Sequence, residues 1–233
     1  MKELYTAIGR LEMRRDGLTK KHPLVVAGRK EHLLDIHEMM IWSCLNWGFT
    51  GLVQLEEKYH KKLTDAGIDT DGDFRVYVER LLLRGLIVKG SGDTDADAAY
   101  DLIGGLYIQP VPYTPFDKAA LFAKLTLSKG VPFRRAAREA LRKTTYSADE
   151  KRVWDLIMQA FLSTAELMKC VEVGAMDISN EDKLTDAIYT DDYTTCDNLV
   201  FTARTFDCKI RVLTALANLY LRRQIIFTEV GCI

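Results

Sequence analysis

The sequence predicts a mainly α fold: two units, each of three helices and a short β-hairpin, joined by a helical connector. Three observations carry this expectation. First, Trp42 and Trp154 lie 112 positions apart in a chain of 233 residues. The stretches around them align without gaps, so that Glu38, Ile41, Trp42, Phe49 and Leu55 fall on Glu150, Val153, Trp154, Phe161 and Leu167. Second, apolar residues in both stretches recur at helical spacing. Third, each stretch is followed by further helical periodicity and then by a short β-branched run. Self-similarity of this kind marks one structural object drawn twice.

In chain order, residues 1–30 read as a basic N-terminal segment and 31–112 as the first unit. His32 to Phe49 is a long helix with Leu33, Leu34, Ile36, Met40, Ile41, Cys44, Leu45 and Phe49 on a wide apolar face. A second helix, Leu52 to Leu63, turns Leu52, Leu55, Tyr59 and Leu63 inward. Asp69 to Asp73 is a turn opening the third helix, Asp73 to Arg84, which buries Phe74, Tyr77, Val78, Leu81 and Leu82 and stops at Gly85. Leu86-Ile87-Val88 reads as a strand, Gly90-Ser91-Gly92 as its turn and Leu106-Tyr107-Ile108 as the return strand.

Residues 113–147 form a basic helical connector. Thr114-Pro115 opens one helix, and a second follows Pro132 with Arg134, Arg138 and Arg142 along one stripe. Residues 148–233 repeat the first unit. The long helix is Asp149 to Phe161, Ser163 to Glu166 is a capping box, Val212 to Arg223 is the third helix, and Ile225-Ile226-Phe227 is the strand. Ile225 lies 138 positions beyond Ile87, so 26 residues have been added between the second and third helices, coinciding with an acidic stretch, Asp177 to Asp197.

Apolar residues at 48% and charged residues at 28% describe a folded rather than a disordered chain. The longest weakly charged apolar run, Met39 to Val53, is too short for a membrane span, so no membrane association is expected. Met1 to Tyr5 lacks a signal-peptide core. Five cysteines, an odd number without a C-x-x-C pair, fit a reducing cytoplasm. The net charge of −1 conceals strong segregation: 118–143 carries eight basic and one acidic residue, 172–197 eight acidic and one basic, and 10–30 seven basic and two acidic.

Thr50-Gly51-Leu52-Val53-Gln54-Leu55 opening the second helix, and Val78-x-x-Leu81-Leu82-x-Arg84-Gly85-Leu86-Ile87 closing the third, resemble the winged helix-turn-helix superfamily over about Glu31 to Val111. The resemblance implies a third helix that enters the DNA major groove and a hairpin that touches the backbone. The chain departs from it at the expected wing, which carries Asp93, Asp95, Asp97 and Asp101, residues that phosphates repel. Winged-helix units without DNA binding serve as protein-interaction modules.

Motifs of catalysis and metal binding are incomplete. His37-Glu38-Met39-Met40-Ile41 lacks the second histidine of a zinc-protease helix. Asp93-x-Asp95-x-Asp97 has Ala98 and Gly104 where a calcium loop needs glycine and glutamate. No P-loop, G-x-G-x-x-G or G-x-S-x-G occurs, so a non-enzyme without cofactor or metal is expected. Nucleic-acid contacts are assigned to three surfaces. One is the outward side of the third helix (Arg75, Val76, Glu79, Arg80, Leu83), with Arg75 and Arg80 as readers. The second is the cluster Arg134, Arg135, Arg138, Arg142 and Lys143, joined on the backbone by Lys209 and Arg211. The third is the basic segment Arg14, Arg15, Lys20, Lys21, Arg29 and Lys30, a groove arm or a solubilising tail. The expectation is a cytoplasmic, self-associating DNA-binding regulator. The alternative is a non-enzymatic interaction protein whose units no longer bind DNA.

Overall fold

The computed structural model describes residues 1–16, 20–28, 30–68, 72–111, 145–189 and 193–229. The chain begins with strands β1 (Lys2–Ala7), β2 (Arg10–Asp16), β3 (Lys20–Ala27) and β4 (Lys30–Leu33). Helices α1 (Ile36–Leu45), α2 (Leu52–Ala66) and α3 (Phe74–Leu83) follow, then β5 (Ile87–Gly92), α4 (Asp95–Ile103) and β6 (Tyr107–Pro110). The second half contains α5 (Ala148–Ile157), β7 (Leu162–Ser163), α6 (Thr164–Glu172), α7 (Glu181–Ile188), α8 (Cys196–Thr202), α9 (Lys209–Leu221) and β8 (Ile225–Thr228).

This is an α/β mixture, and it corrects the expected mainly α pair of winged-helix units. Among the described residues about 51% are helical and 21% are in strands, with nine helices and three small antiparallel sheets. Three local facts explain the difference. The basic start of the chain, expected as a tail, holds β1 and most of the sheet ordered β2-β3-β4. The strand after α3 does not fold back on a return strand: β5 pairs with β1, Ala7 opposite Ile87 and Lys2 opposite Gly92. Gly90-Ser91-Gly92 is therefore the end of a strand and not a turn. Its glycines admit α4, because a Cβ on Gly90 would sit 2.2 Å from the Leu102 amide nitrogen and 2.5 Å from the Ala98 carbonyl. The residues expected as a wing tip form α4, capped by the Thr94 hydroxyl accepting from the Asp97 N–H. The connector helices over 113–144 lie outside the described residues.

What does recur is a strand register. Tyr5, in the central strand of the first half, bridges Thr50 on one side and pairs with Lys89 of β5 on the other. Ile108 of β6 pairs with Leu162 of β7 and Phe227 of β8, which lie 112 and 138 positions beyond those partners. In each half a central strand precedes the first helix and is flanked by the segments before the second helix and after the third. Each third helix ends in the same motif. Gly85 at φ 64° follows α3, with its N–H on Leu82 and the Leu86 N–H on Leu81; Arg223 at φ 61° follows α9, with its N–H on Tyr220 and the Gln224 N–H on Leu219.

Two cores follow from this layout. Ile41, Trp42, Leu55, Tyr59, Val78 and Leu81 centre the first, and Tyr100, Leu156, Leu167, Leu216, Leu219 and Phe227 the second. Trp42 is fully buried and donates to the Ile8 carbonyl at 3.3 Å, whereas Trp154 is half-buried and stacks on Tyr146. The cores meet at Tyr220. Its hydroxyl oxygen accepts the Trp47 N–H at 3.2 Å and lies 3.0 Å from the Thr6 hydroxyl, while Gly9 N–H donates to the Phe227 carbonyl at 3.1 Å. Burial pushes the Tyr220 phenol upward, so this hydroxyl remains protonated.

A left-handed backbone is free for glycine and strained for other residues. Arg223→Gly is expected to stabilise the chain by about 0.5–1 kcal/mol, and Gly85→Ala to destabilise it by about 1 kcal/mol. Chemical denaturation of the two variants checks both signs.

Candidate functional site

The most ordered polar constellation begins at the N-terminus of α1. Asp35 caps the helix by accepting from the Glu38 N–H at 2.8 Å, and the Glu38 carboxylate returns to the Asp35 N–H at 3.1 Å. Glu38 is only 1% exposed, and a buried carboxylate needs a cationic partner. The last turn of α3 supplies it. Arg84 donates to Glu38 Oε2 at 2.7 Å and to the Leu33 carbonyl at 2.6 Å. Arg80 stands 3.2 Å from Glu38 Oε1 and donates to Asp35 Oδ2 at 3.3 Å.

The second half repeats this latch position by position. Ser147 caps α5, and Glu150 accepts from Arg222 at 2.9 Å and from the Asn218 amide at 2.8 Å. Arg222 also reaches the Thr145 carbonyl at 3.4 Å. Thr145, Ser147 and Glu150 lie 112 beyond Leu33, Asp35 and Glu38, and Asn218 and Arg222 lie 138 beyond Arg80 and Arg84. Burial works to raise the Glu150 pKa, but donors from the Ser147 backbone, Asn218 and Arg222 outweigh it and hold the carboxyl below its ordinary value of 4.5.

Around the first latch lies an exposed apolar strip. Val76, Arg80 and Leu83 share one side of α3 by their spacing. Leu83 is 89% exposed, and Leu33, at the end of β4, is 67% exposed. Val76 and Ile36 are also exposed. The bonds from Arg84 to Leu33 and from Arg80 to Asp35 place the β4–α1 junction beside α3, so these side chains border one face. β4 is hydrogen-bonded to β3 on one side and to no other strand among the described residues. Arg80 lies over the Tyr77 ring at 5.8 Å, Tyr77 stacks on His37 at 4.9 Å, and His37 Nδ1 is 2.8 Å from the buried Tyr59 hydroxyl.

The residues assigned to nucleic acid fare differently from one another. Arg75 is exposed on α3 and forms no ion pair among the described residues. Arg80 faces Asp35 and Glu38. Lys209 bonds Asp97 at 2.8 Å, and Arg211 stands 3.7 Å from Asp149. Arg134, Arg135, Arg138, Arg142 and Lys143 lie outside the described residues. Three of the four acidic residues expected on a wing are internal partners instead: Asp95 takes Lys2, Asp97 takes Lys209, and Asp101 takes Arg204. The Lys209 and Thr94 bonds hold the Asp97 carboxyl below its ordinary range.

Sequence reasoning did not single out Arg84, Arg222 or Asn218 as site residues. The signal was present, since the offset that relates Ile87 to Ile225 also relates Arg84 to Arg222. No protein-family model, curated protein or solved structure matches this chain. Among the described residues no group of three or more His, Cys, Asp or Glu side chains is placed to hold a metal ion, and no helix is long and apolar enough to cross a membrane.

Two outcomes follow from the latches. Arg84→Met leaves Glu38 buried with Arg80 alone and is expected to cost about 3 kcal/mol in urea unfolding. Because the Glu150 carboxyl is depressed in the fold, its contribution is complete above its unfolded value near 4.5 and is lost as pH falls through the folded value. Glu150→Gln should flatten the decline of wild-type stability in that acidic window, as read by unfolding midpoints at successive pH values.

Proposed function

We propose that this chain is a non-enzymatic binding protein whose partner is another polypeptide, taken up along β4 and the exposed side of α3. The observation that carries this reading is the placing of Leu83, Leu33, Ile36 and Val76 beside a strand edge with a single neighbour among the described residues. Contiguous exposed apolar side chains mark interaction surfaces. An open strand edge offers backbone donors and acceptors to an extended segment, and flanking side chains supply selectivity. The charges point the same way. Lys209 and Arg211, which phosphates would need, each face a carboxylate of the chain itself.

DNA binding in transcriptional control is the second reading. The exposed Arg75, without an ion pair among the described residues, and the basic run over 118–143 favour it. A salt titration separates the two, because contacts to several phosphates lose affinity steeply as salt rises. The polypeptide reading expects no salt-sensitive retention of mixed-sequence duplex DNA at low ionic strength. It further expects that peptides selected from a random display library on the full chain lose roughly tenfold or more in affinity to Leu83→Asp, measured by fluorescence anisotropy. Selected peptides indifferent to Leu83→Asp, together with steeply salt-dependent DNA binding, reverse the order of the readings.

A further inference from the structure

We infer that the polypeptide received on the β4–α3 face carries an acidic side chain that pairs with Arg80; this rests on the reading of that face given above. The two latches differ at the cap, Asp35 against Ser147, and at the residue of the third helix that completes them, Arg80 against Asn218. Asn218, the counterpart of Arg80, satisfies Glu150 Oε1 through its amide at 2.8 Å. An amide at this position is therefore sufficient to complete a latch, with Arg222 supplying the charge. In the first half Arg84 already supplies the charge, with directed bonds to Glu38 and to the Leu33 carbonyl. Arg80 adds a second guanidinium to a carboxylate that has one.

The geometry shows that this second guanidinium is only lightly used. Arg80 is 50% exposed, its single hydrogen bond among the described residues is the 3.3 Å contact to Asp35, and its 3.2 Å approach to Glu38 Oε1 leaves that buried oxygen without a directed hydrogen bond. Asp35 is itself occupied as the helix cap. A guanidinium carries five N–H donors in a planar fork that matches a carboxylate in bidentate fashion. Arg80 thus keeps donors to spare, over the Tyr77 ring, between the apolar side chains of the face.

The other charges near this face are Lys30, Arg75 and Arg84 on one side of the balance and Glu31, Asp35, Glu38 and Glu79 on the other, with Glu38 held by Arg84. Glu31 is paired with Arg14, and Asp35 with Arg80. An acidic residue set among apolar ones in an extended segment complements this arrangement. The exposed Leu33 and Leu83 favour a polypeptide over a phosphate backbone, which has no apolar groups to cover them.

The test uses the full chain and random displayed peptides of about a dozen residues, long enough to run along a strand edge. Selected peptides are synthesised with a fluorophore and titrated by anisotropy against wild type, Arg80→Asn, Arg80→Lys and Leu83→Asp. Arg80→Asn supplies the amide of the second latch and leaves Asp35 a partly exposed carboxylate at a helix N-terminus, where the helix amides still bond it, so its unfolding midpoint should stay close to wild type, which separates a binding loss from a folding loss. The expected result is enrichment of Asp or Glu in the selected peptides. Arg80→Asn should weaken binding roughly ten- to a hundredfold, the range of a charge-assisted hydrogen bond, and Arg80→Lys should weaken it less. Peptides that lose affinity to Leu83→Asp but bind wild type and Arg80→Asn equally overturn the acidic assignment and leave the face reading standing. If no peptide depends on Leu83, both fall. If mixed-sequence duplex DNA displaces the peptides and is itself weakened by Arg80→Asn, Arg80 serves phosphate and the inference is overturned.

Discussion

A carboxylate taken out of water must be matched by positive charge and directed donors, and in this chain that requirement orients helices twice over. Glu38 and Glu150 occupy the same place, the third residue of a capped helix, where they close the cap and are then buried by the third helix. A buried glutamate in a capping box has half of its hydrogen bonding settled locally. The other half must arrive from a distant element at a fixed height. Arg84 and Arg222 meet that demand from the ends of α3 and α9, and each also ties down the carbonyl that precedes the cap. The first and third helices of each half are thereby joined by polar contacts as well as by apolar packing.

The same requirement explains why the exposed face lies where it does. Holding the end of α3 against the start of α1 brings the final residues of β4 alongside α3 and leaves Leu83 with no described element to cover it. In the second half the place of Leu33 is taken by Thr145 and that of Val76 by Thr214, while Leu83 keeps an exposed counterpart in Leu221, so the apolar face is reduced there. The first half thus carries the larger apolar surface of the two. The insertion carrying α7 and α8 sits in that other copy, between α6 and α9.

Much of this was legible from local pattern. The capping box at Ser163, the helices α2 and α3 and the glycine stop at Gly85 all follow from side-chain chemistry within a turn or two. The 112-residue offset by itself sets Glu38 on Glu150. What escaped was non-local. β5 has its partner some eighty residues upstream in β1, and nothing in Ile87 to Gly92 reveals that. The glycines of β5 imitate a turn because a close helix and a tight turn both call for a missing Cβ. In β2 and β3 the charges of Arg10, Arg14, Arg15, Lys20 and Lys21 obscured a period of two. The candidate readers were legible as outward positions of α3. The carboxylate partners of Arg80 and Lys209 were not, because ion pairs such as Arg80–Asp35 and Lys209–Asp97 depend on tertiary contact.

Tyr220 bears on the independence of the two halves. Its hydroxyl belongs to the third helix of the later copy, yet it satisfies an amide at Trp47, a non-glycine residue held at φ 66° in the earlier one. Ile8, although it follows the first strand, is sheltered by the later core. The two halves thus share a polar contact and a stretch of apolar core. Severing the polypeptide between them would strand a polar group in one fragment and bare greasy surface in the other, so the halves are expected to melt together.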